Sequence, residues 1–293
     1  MEKIKKILSA GFVGSSVVLL AACGGGGSGT DSVSTGSLTL GITDAPIDSA
    51  DSVTVVFDSV TLQGPERTTI EFDEPMVIDL LDFQNGERVL LLDEQELLAG
   101  DYQFIRLGIV EEGSFIEVEG QQFPLEVPSG SQSGLQLNRG FTLAAGGVSD
   151  FTVDFDLRRS ITVTGNGDYM LRPTLRIVDA LQAVNLTGVI DESFIIDPAC
   201  NNGDNNDMGN VVYLFSTQDV VPQDVQGNDG DPIASANVEF NSATGEYEYT
   251  IGFVAVGNYT LAFTCDALLD NPEEDNLDVV NFPFVENIAV GSN

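Results

Sequence analysis

Oxygen-bearing side chains crowd the last third of the chain, where they could bind a hard metal ion. Asp197, Asp204 and Asp207 fall in one Asn- and Gly-rich segment, and Asp229 and Asp231 fall in another. Because Ca²⁺ takes roughly six to eight oxygen ligands from flexible loops, these segments predict a candidate calcium site. Neither has the EF-hand spacing, so the alternative, solvated turns built from Asn, Asp and Gly, stays open.

Two further carboxylates, Asp154 and Asp156, share one face of a predicted strand and could form a glycosidase-like pair. Acidic residues number 46 in this chain, so such a pair arises easily, and tryptophan, a common platform for sugars, is absent. The favoured interpretation pairs these aspartates with arginines across the sheet, such as Arg172 or Arg176. A carboxylate-based hydrolase is therefore only a distant alternative.

The chain contains no histidine, which excludes several classes of chemistry. Ser-His-Asp catalysis and His-ligated zinc or haem all need that side chain. No glycine loop that would cradle phosphate is present, and a formal net charge of −35 opposes binding to nucleic acid. We therefore expect neither an enzyme nor a nucleic-acid-binding protein, and no cofactor apart from the candidate calcium ion.

Residues 1–22 have the pattern of an export signal, with basic Lys3, Lys5 and Lys6 before an apolar run too short to span a bilayer. The run ends in Leu-Ala-Ala-Cys at residues 20–23, which resembles the lipobox of bacterial lipoproteins. This resemblance implies that Cys23 becomes the lipid-bearing amino terminus and anchors the protein to a membrane. Gly24 resembles the outer-membrane sorting pattern of cells with two membranes. An ordinary secretory signal is the alternative.

The remaining two cysteines, Cys200 and Cys265, are predicted to form a disulfide, because an exported protein folds in an oxidising compartment. Two buried free thiols are the alternative. Residues 23–36 are rich in Gly, Ser and Thr and predict a flexible tether. Beyond the signal there is no lysine, and residues 177–293 contain 20 acidic residues and no basic one.

Period-two alternation of apolar and polar residues predicts a mostly β protein. It is clear at 37–43, 52–62 and 151–158, whereas 87–98 fits either a short helix or a strand with a turn. Arginine stops at Arg176 and a new strand pattern starts at Ala183. We therefore predict two tandem β-sandwich domains, residues 37–180 and 181–293, the second with strands at 183–190, 211–216, 237–240, 246–253, 259–264 and 279–285.

Two segments, Gly100-Asp-Tyr102 and Gly257-Asn-Tyr259, follow apolar residues and lead into predicted strands. They resemble the glycine–tyrosine hairpin of transthyretin-like sandwiches, which include carboxypeptidase regulatory-like domains. The resemblance implies a transthyretin-like fold for the second domain. A generic hairpin is the alternative.

A longer set of motifs runs through residues 36–179. It comprises Gly-Ser-Leu-Thr-Leu-Gly-Ile-Thr-Asp-Ala-Pro at 36–46, Gly-Asp-Tyr-Gln-Phe-Ile-Arg-Leu at 100–107, Asp-Phe-Asp at 154–156 and Tyr-Met-Leu-Arg-Pro at 169–173. Their order resembles the bacterial "domain of unknown function 4382" family, usually found in lipoproteins. The resemblance implies a β-sandwich and an exported setting, but it brings no catalytic residues.

Together these observations predict a lipid-anchored cell-envelope protein with a non-catalytic binding or structural role. Its expected partners are the membrane and an envelope protein or polysaccharide. The main alternative is a calcium-dependent surface adhesion module.

Overall fold

The computed structural model describes residues 34–45, 47, 49–128, 134–197, 200, 209–272 and 279–291. The predicted signal and most of the predicted tether, with Cys23, lie outside these residues. Within the described part, no helix is long and apolar enough to cross a bilayer.

The chain is mostly β, as predicted. Its strands are β1 (Thr35–Ala45), β2 (Ser52–Gln63), β3 (Arg67–Asp79), β4 (Val89–Leu98), β5 (Gly100–Tyr102), β6 (Phe104–Val118), β7 (Gln121–Glu126), β8 (Leu135–Leu137), β9 (Phe141–Leu143), β10 (Val148–Asp156), β11 (Ile161–Val163), β12 (Tyr169–Leu171), β13 (Leu175–Asp179), β14 (Ala183–Ile190), β15 (Val211–Phe215), β16 (Ala234–Asn237), β17 (Glu239–Asn241), β18 (Glu246–Ala255), β19 (Gly257–Thr264) and β20 (Phe284–Val290). The helices are short: α1 (Leu157–Ser160), α2 (Glu192–Ile195) and 3-10 turns at Leu80–Asp82, Ala180–Gln182 and Ala267–Leu269.

Residues 34–182, the N-terminal half, form two facing sheets and a small β5–β9 ladder. One sheet has the order β13-β10-β1-β4, with β1 parallel to β10, and the other has the order β11-β12-β7-β6-β2-β3, with β8 also on β6. The inward side chains of β1, Leu38, Leu40 and Ile42, are fully buried. Phe57 of β2 meets Phe155 of β10 edge to face, with ring centroids 6.1 Å apart, so the two sheets share one core.

Residues 183–291, the C-terminal half, form sheets β14-β18-β17 and β16-β15-β19-β20. Every residue of β15 is buried. Val212 and Leu214 point into the core between the two sheets, whereas Tyr213 and Phe215 point into a second cluster on the outer face. Burial on both faces explains why the sequence of this strand is a continuous apolar run without alternation.

The two halves have separate cores, yet residues 34–293 make up one compact unit. No sheet among the described residues contains strands from both halves. The division into two domains at residue 180 therefore stays a prediction.

The ambiguous segment 87–98 contains strand β4, which pairs with β1. Glu94 has φ +45°, and the register with β1 shifts between Leu38 and Leu40. This bulge places extra residues in the strand and interrupts its alternation, which explains why periodicity did not separate helix from strand. In the C-terminal half, β20 begins at Phe284, later than the strand predicted at 279–285.

The two glycine–tyrosine segments have the same local geometry. The Tyr102 hydroxyl donates to the Leu98 carbonyl and the Tyr259 hydroxyl donates to the Ala255 carbonyl, each at 2.8 Å. Both tyrosines are buried. Each bond returns to the end of the preceding strand, as in the tyrosine corner of β-sandwiches, and fixes the turn between the two strands.

We predict that Tyr102→Phe and Tyr259→Phe each lower the free energy of unfolding by about 1 kcal/mol, since each removes one buried hydrogen bond and little volume. Urea denaturation of the purified protein measures this. Tyr169→Phe is the matched control, because no hydrogen bond of its hydroxyl is found among the described residues. Equal stability of all three variants and the parent would contradict the proposed role of the corners.

Candidate functional site

The polar face of β10 is buried. Phe151, Val153 and Phe155 fill the N-terminal core, as alternation predicts, but Thr152, Asp154 and Asp156 on the opposite face are also at most 9% exposed. The C-terminal half lies close to this face, since a small cavity there is lined by Asp154 and by residues 234–235 and 250–252. A strand that alternation predicts to be half solvated is therefore enclosed on both sides.

Arg176 on β13 joins this polar face to the C-terminal half. It lies directly opposite Asp154 across the β10–β13 ladder, and its Nε is 3.1 Å from Asp154 Oδ2. Its Nη1 and Nη2 donate to the carbonyls of Phe253 and Gly252, at 3.2 and 3.4 Å. The predicted pairing of Asp154 with Arg176 is thus present, and the same guanidinium also binds the backbone of β18.

Arg159 on α1 makes a second ion pair between the halves. Its Nη2 is 2.8 Å from Asp231 Oδ2, and its Nη1 donates to the Pro232 carbonyl at 3.1 Å. The Asp231 side chain is only 3% exposed and also accepts from the backbone amides of Gln226 and Gly227. This buried carboxylate is therefore paired with an arginine from the other half.

Two more arginines reach the C-terminal half. Arg158 is buried, and its guanidinium donates to the Ala267 carbonyl and to Asn237 Oδ1 at 3.4 and 3.3 Å. Arg88 is held by both oxygens of Asp150, at 2.6 and 2.8 Å, and lies over the Phe253 ring, 5.7 Å from its centroid. We call Arg88, Arg158, Arg159 and Arg176 the junction arginines.

Glycine makes a close backbone approach possible beside Arg88. A Cβ atom at Gly252 would lie 2.8 Å from Gly86 Cα, and Gly86 has φ +87° in its turn. The next residue, Phe253, has φ +51°, where a bulky side chain is strained. The bulged end of β18 thus fits between Arg88 and Arg176 at the cost of local backbone strain.

Burial raises the pKa of two acids near the junction. Desolvation raises the pKa of Asp156 to about 6, against the opposing effect of Arg159. Desolvation also raises the pKa of Asp270, whose carboxylate accepts from the Tyr213 hydroxyl at 2.7 Å and from the Val225 amide. The Asp156 carboxylate caps α1 by accepting from the Arg159 amide, and its ion pair is with Arg159 rather than across the sheet.

Two cavities open where residues of both halves come together. One, of about 440 Å³, is lined by Arg158 and Asp270 beside Ile161 and Leu268. The other, of about 490 Å³, is lined by Arg139, Phe141, Phe151 and Tyr259. Both volumes lie in the range of roughly 300–1,000 Å³ that small-molecule sites occupy.

The predicted calcium ligands have different surroundings. Asp204 and Asp207 lie outside the described residues, Asp197 and Asp229 are exposed, and Asp231 is buried against Arg159. Among the described residues, no group of three or more acidic or cysteine side chains is placed to hold a metal ion. The calcium site therefore stays a prediction.

Cys200 and Cys265 form the predicted disulfide, with Cα atoms 5.3 Å apart and a sequence separation of 65. Both belong to the core of the C-terminal half. In the chain-entropy description, a loop of this length stabilises the fold by about 4 kcal/mol.

The sequence reasoning did not find the Arg159–Asp231 and Arg88–Phe253 contacts. They join residues far apart in the chain, so neither spacing nor strand register indicates them. One signal was available: all eight arginines of residues 23–293 precede residue 177, and the acidic C-terminal segment has none. Buried carboxylates there can find an arginine only in the N-terminal half.

These features define a mostly β protein whose polar, arginine-rich junction lies between two sheet-built halves. Residues 35–173, just under half of the chain, match the family described as "Domain of unknown function (DUF4382)". This confirms the resemblance predicted for the N-terminal segment.

No curated protein matches the sequence. Among solved structures, a leucine-rich repeat protein from Bacteroides thetaiotaomicron VPI-5482 is similar over 87% of this chain, with 12% identity and a TM-score of 0.19. The match spans only 24% of that protein's chain.

We predict that Arg159→Met lowers the free energy of unfolding by about 3 kcal/mol, because it leaves the Asp231 carboxylate buried without its cation. Urea denaturation gives this number, and Arg67→Met, at an exposed position of β3, is the matched control. Adding Asp231→Asn to the Arg159→Met variant should restore part of the lost free energy of unfolding. A loss no larger than that of Arg67→Met would contradict the junction ion pair.

Stability should also depend on the ionisation of Asp156. The folded protein binds a proton on Asp156 below about pH 6, whereas in the unfolded chain the pKa of this carboxyl is 3.8. Burial of the ionised form therefore destabilises the fold fully above about pH 6, less as the pH falls, and not at all below the unfolded pKa of 3.8.

We predict that Asp156→Asn, which keeps the capping oxygen, is more stable than the parent by about 3 kcal/mol at pH 7.5, and that this difference falls to about 1 kcal/mol at pH 4.5. Urea denaturation of the variant and the parent at both pH values tests this. Because the two proteins are compared at the same pH, the effect of pH on the other charged groups cancels. Asp168→Asn, in an exposed turn, serves as control. A pH-independent difference would disprove the assignment.

Proposed function

We propose that this chain is a lipid-anchored protein of the bacterial cell envelope with a non-catalytic binding or structural role. The Cys200–Cys265 disulfide is the observation that carries this proposal, because disulfides persist in oxidising compartments outside the cytosol. It accounts for two of the three cysteines and leaves Cys23, at the lipobox-like segment, for lipid.

The carboxylates considered for hydrolysis favour the non-catalytic role. The Asp154 carboxylate is bound by Arg176, and Asp156 is buried and caps α1. Both carboxylates are therefore used in contacts at the junction between the halves. This use favours a structural part of the protein, which in our proposal the tether holds away from a membrane.

We further propose that the C-terminal half is a transthyretin-like module. Its support is the Tyr259 corner at the β18–β19 turn and the pair of sheets packed over one core. As in other sandwiches, loops at the ends of the sheets would carry any contact with an envelope protein or polysaccharide.

Cys23→Ser tests the lipid anchor. In a bacterial host with two membranes, we predict that the parent chain incorporates radiolabelled palmitate and pellets with outer membranes, whereas Cys23→Ser incorporates none. The double variant Cys200→Ser/Cys265→Ser is the control, because it removes the disulfide and should keep the label. A soluble parent protein whose mass shows an unmodified amino terminus would refute the proposal.

A further inference from the structure

The larger of the two cavities has walls from both halves of the chain. Phe141 of β9, Phe151 of β10 and Ile177 of β13 line one side, and Ala255 and Tyr259 line the other. Its volume of about 490 Å³ is large enough for a small organic molecule.

One wall of this cavity is aromatic and ordered by stacking. The Phe141 ring lies between Tyr102, at 4.8 Å and nearly parallel, and Phe151, at 5.0 Å. Tyr102 is itself fixed by its hydroxyl bond to Leu98. A preformed wall of this kind favours a ligand with a flat face, because little side-chain freedom is lost when the ligand binds.

Arg139 supplies a cation at this cavity. The lining also includes Asp179, whose carboxylate accepts from the Leu181 amide and the Gln182 side chain. The guanidinium donates to the Ile177 carbonyl, and no carboxylate of the described residues lies within ion-pair distance of it. The other arginine of the cavity, Arg176, is already bound by Asp154. The chain has 46 acidic residues and 11 basic ones, so an exposed arginine with no acid partner is unusual. The N–H groups of Arg139 that do not bind the Ile177 carbonyl can bind a carboxylate from outside.

We propose that this cavity binds a small monocarboxylate whose body is a single ring. The carboxylate pairs with Arg139, and the body lies against Phe141 and Phe151. A single negative charge suits the site, because the strongly acidic protein repels polyanions but an arginine at contact distance outweighs that repulsion for one carboxylate. The inference rests on the binding role proposed above.

Two sources offer this chemistry, an aromatic acid and a sugar acid. Calorimetric titration of the full-length protein in detergent with benzoate and with D-glucuronate separates them, and benzyl alcohol and D-glucose are the uncharged counterparts. We expect at least one acid to bind at millimolar concentration or below, at least tenfold more tightly than its uncharged counterpart. The acid that binds identifies the source.

Arg139→Gln should weaken that binding at least tenfold. The melting temperature should fall only slightly, since Arg139 is exposed and the substitution removes its hydrogen bond to the Ile177 carbonyl. Arg67→Gln removes the same charge from the exposed strand β3 and should bind as the parent does. The proposal is overturned if neither acid binds, or if Arg139→Gln binds as tightly as Arg67→Gln.

The same titration on Cys23→Ser distinguishes this proposal from the lipid anchor. Binding that is lost in Arg139→Gln and kept in Cys23→Ser supports the cavity whatever the outcome of the palmitate experiment. Absence of binding by a correctly lipidated parent refutes the cavity and leaves the anchor intact.

Discussion

The junction arginines are the interaction on which the arrangement of the described residues depends. The C-terminal segment has many carboxylates and no cation of its own, so a buried acid such as Asp231 needs an arginine from the N-terminal half. Conversely, the polar face of β10 is enclosed because Arg176 satisfies both Asp154 and the backbone of β18. Buried charges add little net stability when they are paired and cost much when one partner is missing, so they specify how the halves meet more than how strongly each half folds.

The sequence was sufficient for those features that depend on local pattern. Alternation identified β10 and its inward face, and the Asp154–Arg176 pair follows from strand register. It was insufficient where the backbone departs from regular geometry, as at the Glu94 bulge in β4. It also failed where contact depends on tertiary packing: nothing in the alternation of β10 shows that its polar face is covered, and nothing near Arg159 points to an aspartate 72 residues later.

The match to the family of unknown function and the observed junction overlap only in part. Residues 35–173 include three of the junction arginines and end before Arg176. The tyrosine corner, in contrast, occurs once in each half with the same hydrogen bond. Both halves therefore stabilise this turn with the same hydrogen bond. The contact between them, in contrast, depends on arginine side chains, which only the N-terminal half provides.

Clustering of the basic residues in the N-terminal half also limits how digestive enzymes can attack the chain. A protease that cuts after lysine or arginine finds no target in residues 177–293. Four of the eight arginines in residues 23–293 are junction arginines, one of them, Arg158, only 7% exposed, and Arg172 precedes Pro173, which prevents cleavage there. Cleavage at the remaining ones would leave the acidic half in one piece, closed internally by its disulfide. This distribution of cleavage points protects the C-terminal half from trypsin-like enzymes.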